Sequence, residues 1–131
     1  MIVLDTHVII WDALAPERLS EPAREAIAGA NQDEGMIICD ISLWEIAMLL
    51  QKGRVQVDAE PLSFINLLLQ ANKTQVQPIT PQIATLATQF PAAINQDPAD
   101  RLIAATTLAE NGTLVTADRN LQAAGLIPTL W

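Results

Sequence analysis

Short apolar runs along the chain alternate with longer stretches in which apolar residues recur at helical spacing. Strands are predicted where an apolar run is short and bounded by turn residues, at 2–4, 36–39, 76–79 and 113–116, with 126–130 as a fifth candidate. Helices are predicted at 7–14, from Ser20 onward, at 42–51 with Ser42 as its cap, at 61–71, 80–90 and 97–110, and briefly from Asp118. This alternation indicates an α/β fold, with a parallel sheet sandwiched between helices.

The runs at 36–39 and 113–116 show little alternation of apolar and polar residues, as expected for strands covered on both faces. In such sheets the functional crevice lies beyond the carboxyl ends of the strands, where the strand order reverses. Acidic residues that closely follow a strand are therefore the first candidates for a site.

Composition narrows the possible functions. The length of 131 residues predicts one domain, 1–131, and the 50% apolar content excludes a disordered chain. Lys and Arg number 7 against 15 Asp and Glu, and the formal charge of −8 argues against a broad basic face for duplex nucleic acid. One cysteine, Cys39, excludes an internal disulfide framework and a zinc site built from cysteines.

The chain shows no sign of targeting to a membrane. Its first residues lack the positive region of a signal peptide, and no apolar run approaches the ~20 residues that span a bilayer. We therefore expect a cytoplasmic protein with no membrane partner.

Two aspartates lie close behind predicted strands. Asp5 follows the run 2–4 directly, and Asp118 follows 113–116 by one intervening residue. Each is also a suitable helix N-cap, a role worth about 1 kcal/mol. For Asp5 alone, the cap and the functional site remain equally open, and Asp118 alone could be an ordinary cap.

Glu45 is harder to explain as a surface residue. Between Leu43 and Leu50 every residue except Glu45 is apolar, which predicts a helix buried on most of its surface. A carboxylate there needs a partner, a metal ion or a raised pKa. The alternatives are a buried ion pair or a narrow exposed stripe.

Asp97 and Asp100 belong to the segment Asp-Pro-Ala-Asp-Arg. Asp97 suits an N-cap, Pro98 suits the first helical position, and Asp100 falls in the first turn. Taken alone, this segment favours a helix start over a catalytic site.

Together, the acids indicate more than each does alone. The carboxylates that could converge in one crevice are those of Asp5, Glu45, Asp100 and Asp118. Four like charges so close together cannot all ionise without a counter-ion. Oxygen-only ligands suit Mg²⁺ or Mn²⁺, and this arrangement is used to hydrolyse phosphodiesters.

Other chemistries fit the sequence less well. No glycine-rich phosphate loop is present, which disfavours a P-loop nucleotide hydrolase, and no Gly-x-Ser-x-Gly elbow is present, which disfavours an α/β-hydrolase. His7 and Cys39 are interpreted as packing residues, with a peripheral role at the site open for His7, which lies two residues after Asp5. The tryptophans Trp11, Trp44 and Trp131 are interpreted as core or interface residues.

Four segments in this order resemble the motifs of PIN-domain proteins, most closely the VapC-like ribonuclease toxins of type II toxin–antitoxin systems. They are Met-Ile-Val-Leu-Asp-Thr-His (1–7), Ser-Leu-Trp-Glu-Ile (42–46), Asp-Pro-Ala-Asp-Arg-Leu-Ile-Ala-Ala-Thr (97–106) and Leu-Val-Thr-Ala-Asp-Arg-Asn-Leu (114–121). The ending Ile-Pro-Thr-Leu-Trp (127–131) is similar too. Because the resemblance spans the chain, it is more specific than any single motif.

The resemblance implies a three-layer α/β/α sandwich with four or five parallel strands, and an endoribonuclease dependent on Mg²⁺ or Mn²⁺. Matched motif by motif, the catalytic and metal-binding set falls on Asp5, Glu45, Asp100 and Asp118. The accessory residues are Asp97, Thr6 and Thr116. The family usually forms homodimers and pairs with a small antitoxin whose tail blocks the acidic site. This chain has Asn95 where its subgroup often has His.

RNA binding by an acidic chain requires local cations. Arg101 and Arg119 each follow a proposed ligand, and Lys52 and Arg54 lie close together, so these four are candidates for the rim of the site, with structural salt bridges as the alternative.

Two other functions remain open on sequence alone. One is a phospho-acceptor receiver-like domain with Asp40 as acceptor, although no Lys follows residue 73. The other is a PIN module that binds a partner without catalysis, against which the presence of all four acids argues.

Overall fold

The computed structural model describes all residues, 1–131, and contains one five-stranded sheet. Its strands are β1 (Ile2–Leu4), β2 (Met36–Cys39), β3 (Thr74–Gln77), β4 (Thr113–Val115) and β5 (Thr129–Leu130). All pairings are parallel, in the order β3-β2-β1-β4-β5, and Val3 of β1 lies beside Ile37 of β2 and Leu114 of β4. This topology confirms the predicted parallel sheet.

Seven helices and one short 3₁₀ turn connect the strands. The helices are α1 (Thr6–Leu14), α2 (Glu21–Gln32), α3 (Ile41–Gln51), α4 (Pro61–Ala71), α5 (Pro81–Gln89), α6 (Pro98–Ala109) and α7 (Arg119–Ala124), and the 3₁₀ turn is Pro16–Arg18. None of the helices is long and apolar enough to span a bilayer.

Both faces of the sheet are covered, and alternate residues of each central strand enter different cores. Leu4, Ile38 and Val115 pack with residues of α1 to α4 on one face. Val3 and Leu114 pack with α6 and α7 on the other. A strand with two buried faces has no polar side, which explains the nearly continuous apolar runs. The three-layer sandwich expected from the sequence is confirmed.

The edge strand β3 begins at Thr74, two residues earlier than predicted. Three of its four residues are polar and none is fully buried, so the apolar pattern that predicts a strand is weak there. Pro78 follows the strand and has no N–H to donate to a ladder. The final strand is also shorter than expected, because residues 126–128 precede the pairing of Thr129 with Leu114.

Helix α3 differs from its prediction in two ways. It begins at Ile41, so Ser42 is not its N-cap, and the Ser42 side chain is completely buried instead. Only Ser42 and Ile46 of this helix are buried, and Trp44 is 59% exposed. The prediction of a helix buried on most of its surface was therefore wrong. Of the two interpretations of Trp44, core or interface, the structure contradicts the core position. The other apolar residues of α3 are only partly covered.

The carboxyl edge of the sheet brings distant parts of the chain together. Asp5 directly follows β1, and Asp118 lies three residues beyond the end of β4. The chain moves from β1 to β2 on one side and later adds β4 on the other, so the strand order reverses between β1 and β4. A crevice is expected at this point of such a sheet.

Candidate active site

A cavity of about 450 Å³ opens at this carboxyl edge, and five of its ten lining residues are acids. They are Asp5, Glu45, Asp97, Asp100 and Asp118. All four carboxylates of the predicted catalytic set, together with the accessory Asp97, therefore face one space. Thr6, the predicted accessory beside Asp5, lines the same cavity.

Asp5 is the most enclosed of these acids, with 7% of its surface exposed. As N-cap of α1 it accepts a hydrogen bond from the Thr6 backbone N–H at Oδ1 (2.8 Å), and Oδ2 accepts from the Thr116 hydroxyl (2.7 Å). Burial raises the pKa of Asp5, while these two hydrogen bonds and the nearby His7 oppose the rise. Asp5 is thus both a helix cap and a cavity residue.

Thr116 also determines the position of Asp118. Its Oγ1 accepts a hydrogen bond from the Asp118 backbone N–H (3.0 Å) and donates its own proton to Asp5. Oδ1 of Asp118 in turn accepts from the backbone N–H groups of Asn120 and Leu121 at the start of α7. One hydroxyl therefore connects the acids that follow β1 and β4.

Glu45 is held by two buried hydroxyls. The Thr6 hydroxyl donates to Oε1 of Glu45, and Oγ of Ser42 lies 2.9 Å from Oγ1 of Thr6. A hydroxyl has one proton, so Ser42 is the donor to Thr6 when Thr6 donates to Glu45. Burial is the largest cause of a raised Glu45 pKa, and the charges of Asp5 and Asp97 add to it. Glu45 thus has a partner despite its apolar helix.

Asp100 is the acid most affected by its neighbours. Burial raises its pKa to about 7, and the charges of the other four acids in the cavity, Asp5, Asp97, Asp118 and Glu45, contribute in that order. Asp97 begins the same helix, α6, and its Oδ1 accepts from the Ala99 backbone N–H (2.9 Å). The helix-start interpretation of this segment is therefore correct, and it coexists with a position in the cavity.

The donor chemistry of the cavity suits a hard divalent cation, although the side chains do not form a closed cage. No group of three or more Asp, Glu, His or Cys side chains is placed to hold one ion together. Mg²⁺ commonly binds through one or two carboxylates and retains several waters. An open cavity rich in carboxylate oxygens therefore fits Mg²⁺ or Mn²⁺ that keeps part of its hydration shell.

Arg101 does not reach this cavity, and the prediction that it binds substrate was wrong. Its guanidinium donates to the backbone carbonyl oxygen of Ala87 in α5 and to four carbonyl oxygens of the segment between α5 and α6, those of Phe90, Pro91, Ile94 and Asn95. The donors that a phosphate would need are already used. Arg119 is exposed and outside the cavity lining.

Arg18 is the cation that sequence reasoning missed. It lies in the 3₁₀ turn after α1 and lines the acidic cavity, with its guanidinium carbon 4.4 Å from the centre of the Trp11 ring. No motif surrounds Arg18, so nothing in the local sequence indicated this position. Arg54 lines an adjoining cleft that shares Arg18 and Trp11, whereas Lys52 lines neither space.

The remaining singled-out residues divide between packing and the cavity. Cys39 is completely buried, which confirms its interpretation as a packing residue. His7 is exposed and lines the acidic cavity, so its assignment to packing was wrong and its position agrees with the alternative, a peripheral role at the site. Trp11 contacts both His7 and Trp131, each at 5.9 Å between ring centres, and the two tryptophans are partly buried against the core.

Comparisons with known proteins agree with this architecture. The chain is 37% identical to Ribonuclease VapC22 of Mycobacterium tuberculosis over 121 residues, which cover 92% of this chain and 89% of that protein. Its fold resembles VapBC2 of Rickettsia felis bound to a DNA fragment from their promoter (TM-score 0.74, 16% identity, 99% of this chain and 98% of that one). It also resembles DNA-bound VapBC of Salmonella typhimurium (TM-score 0.73, 20% identity, 98% and 96%).

The sequence match is stronger evidence of ancestry than the structural ones, because at 16% and 20% identity the solved structures show the fold alone. The model of the PIN domain matches residues 2–126, nearly the whole chain. The chain therefore belongs to the PIN domain family, as its motifs predicted.

Proposed function

We propose that this protein is an endoribonuclease that hydrolyses RNA phosphodiester bonds with a divalent metal ion, and that it is the toxin of a toxin–antitoxin pair. The observation that carries the proposal is the meeting of Asp5, Glu45, Asp100 and Asp118 in one cavity. Two further facts support it: the relative at 37% identity is named a ribonuclease, and the similar folds come from VapBC complexes.

Asp5 and Asp100 would hold the principal Mg²⁺ or Mn²⁺, directly or through water. Asp118 and Glu45 would complete the acidic set, and Asp97 would be an accessory. When bound, the ion supplies charge stabilisation at the phosphoryl oxygens and a lowered pKa of water. It also offsets the mutual repulsion of the carboxylates, which adds to burial in raising the pKa of Asp100.

The chain's own groups orient this set. The Thr116 hydroxyl fixes Oδ2 of Asp5, and the pair of Ser42 and Thr6 fixes Oε1 of Glu45. Oε2 of Glu45 is left for the cavity, where it would orient the attacking water. Because the fixing hydroxyls are buried, they need no reorganisation when substrate arrives.

Arg18 would contact an RNA phosphate. A chain of charge −8 repels RNA at long range, so a cation is needed beside the acids. The Trp11 ring supports the guanidinium at 4.4 Å, and such contacts are worth about 0.5–1 kcal/mol at exposed sites. Arg18 thus takes the role that sequence reasoning gave to Arg101.

A cognate antitoxin is the second partner in this proposal. An acidic cavity is best blocked by a cation, so the inhibitory segment should present Arg or Lys to it. The expectation of a homodimer, which comes from the family resemblance, stays a prediction.

Cleavage of a labelled oligoribonucleotide pool tests the enzyme assignment. We expect cleavage with Mg²⁺ or Mn²⁺, none with a chelator, and none by folded Asp5→Asn, Asp100→Asn or Asp118→Asn variants. Asp58→Asn is the matched control, since Asp58 is an exposed acid outside the cavity lining. Full activity of Asp100→Asn would contradict the site.

Membership of the PIN family excludes the receiver-like alternative. The catalytically silent PIN module is the other alternative, and it predicts a folded wild-type chain that binds a partner but cleaves no RNA under any metal condition.

A further inference from the structure

The segment between α5 and α6 is held in place from two sides. From α6, the Arg101 guanidinium donates to four of its backbone carbonyls, including that of Asn95 (3.1 Å), and to the carbonyl of Ala87 in α5. From α7, Asn120 accepts from the Asn95 backbone N–H (2.8 Å) and donates to the Ala93 carbonyl (2.9 Å). The backbone of Asn95 is therefore bonded at both its N–H and its C=O.

The side chain of Asn95 is bonded at both ends as well. Oδ1 accepts from the Asp97 backbone N–H (3.1 Å), and Nδ2 donates to Oδ2 of Asp100 (3.0 Å). Because a backbone N–H can only donate, the amide oxygen must face Asp97. The amide nitrogen must then face Asp100, so the orientation of the Asn95 amide is unambiguous.

We infer that Asn95 is a positioning residue for Asp100: its amide binds one carboxylate oxygen and thereby directs the other into the cavity. This inference rests on the proposed function, in which Asp100 is a metal ligand. Groups that hydrogen-bond a metal ligand orient it, and their loss typically lowers metal affinity about 10–100-fold. Asn95 does so from a segment that two other helices keep rigid.

The same side chain also shapes the turn before α6, so the test must separate the two roles. A serine at this position can accept from the backbone N–H two residues on, but its side chain is too short to reach Asp100. An alanine loses both contacts. Gln96→Ala is the matched control, because Gln96 is an exposed neighbour in the same segment.

Calorimetric titration of the full chain with Mn²⁺ provides a readout that does not depend on activity. We expect Asn95→Ser and Asn95→Ala to lose about tenfold or more in Mn²⁺ affinity, and Gln96→Ala to bind like the wild type. In cleavage assays, the deficit of Asn95→Ser should shrink as Mn²⁺ is raised.

Two results would overturn the inference in distinguishable ways. If Asn95→Ser binds Mn²⁺ as the wild type does while Asn95→Ala is impaired, Asn95 serves the turn only. If the wild type itself binds no Mn²⁺, the metal site of the proposed function fails, and the role of Asn95 fails with it.

Discussion

The Thr116 hydroxyl donates to Oδ2 of Asp5 across 2.7 Å, although the two residues are 111 positions apart in the chain. The contact exists because β1 and β4 are parallel neighbours, with Leu4 beside Val115, so that both strands end at the same edge. It places a hydroxyl against a carboxylate that is 7% exposed and has few other partners. The geometry of the acidic cavity therefore depends on this pair.

Replacing Thr116 with valine should test that dependence. Thr116→Val keeps the shape and removes the donor, which leaves Oδ2 of Asp5 buried without its partner. We expect a loss of about 1–3 kcal/mol in the free energy of unfolding near neutral pH, measured by urea titration. Thr107→Val is the control, because Thr107 is equally buried but donates only to a carbonyl of its own helix. Equal effects of the two substitutions would contradict the prediction.

The raised pKa of Asp100 predicts that the metal-free protein becomes less stable as the pH rises toward 7. It lies at about 7 in the folded chain and near 3.8 when unperturbed, so the folded state binds more protons between those values. This contribution to stability is complete at low pH and is lost as the pH rises toward 7. Urea titrations with a chelator, from about pH 4.5 to 7.5, should show a weaker fall for Asp100→Asn than for wild type. Identical slopes would place Asp100 in an ordinary solvated environment.

Metal should reverse the effect of the same substitution. Without metal, Asp100→Asn should be neutral or stabilising, since one repelling charge is gone. Mn²⁺ at a hundredfold excess over its dissociation constant should stabilise the wild type by about 2.7 kcal/mol. This stabilisation raises the melting temperature. Asp100→Asn should lose most of the metal-induced rise in melting temperature, whereas Asp58→Asn should retain it. A simple helix-start role predicts instead a loss of about 1 kcal/mol or less, whether metal is present or not.

The two arginines near the site should respond differently to truncation. Arg18→Ala should raise KM for RNA with little change in stability, because a cation at the cavity is lost. Arg101→Ala should unfold at lower urea, because five backbone carbonyls lose their donor. Arg119→Ala, an exposed arginine outside the cavity lining, is the control for charge alone. A normal KM for Arg18→Ala would remove Arg18 from the RNA-binding site.

Expression in a bacterial host tests the toxin assignment. The chain alone should slow growth, and co-expression of the small protein encoded next to it should relieve the arrest. Asp5→Ala should abolish the toxicity at equal protein levels, since the arrest would require the acidic site. Arrest that persists in Asp5→Ala cells would have a cause other than RNA cleavage.

The order of strands and helices was predictable because it depends on local patterns. The central strands are apolar on both faces, and the starts of α2 and α6 are marked by the capping residues Ser20 and Asp97. The edge strand β3 and the start of α3 were placed wrongly for a related reason. Three of the four residues of β3 are polar, so its local signal is weak, and the signal at α3 is misleading, because Ser42 resembles a cap although its side chain contacts Thr6.

By itself, the sequence determined the family, the parallel α/β architecture and which acids line the cavity, because strand ends and motif spacing are properties of short segments. Only the tertiary structure decided which polar groups accompany those acids. It placed Arg18 in the cavity and Arg101 against backbone carbonyls, and it joined Ser42 to Thr6 and Asn95 to Asp100. Arg18, and Ser42 through Thr6, reach the site from segments far apart in the chain, and Arg101 and Asn95 depend on how the segment before α6 is folded. In such cases the partner of a side chain is determined by how whole helices and strands pack, so it cannot be predicted from the neighbouring residues in the sequence.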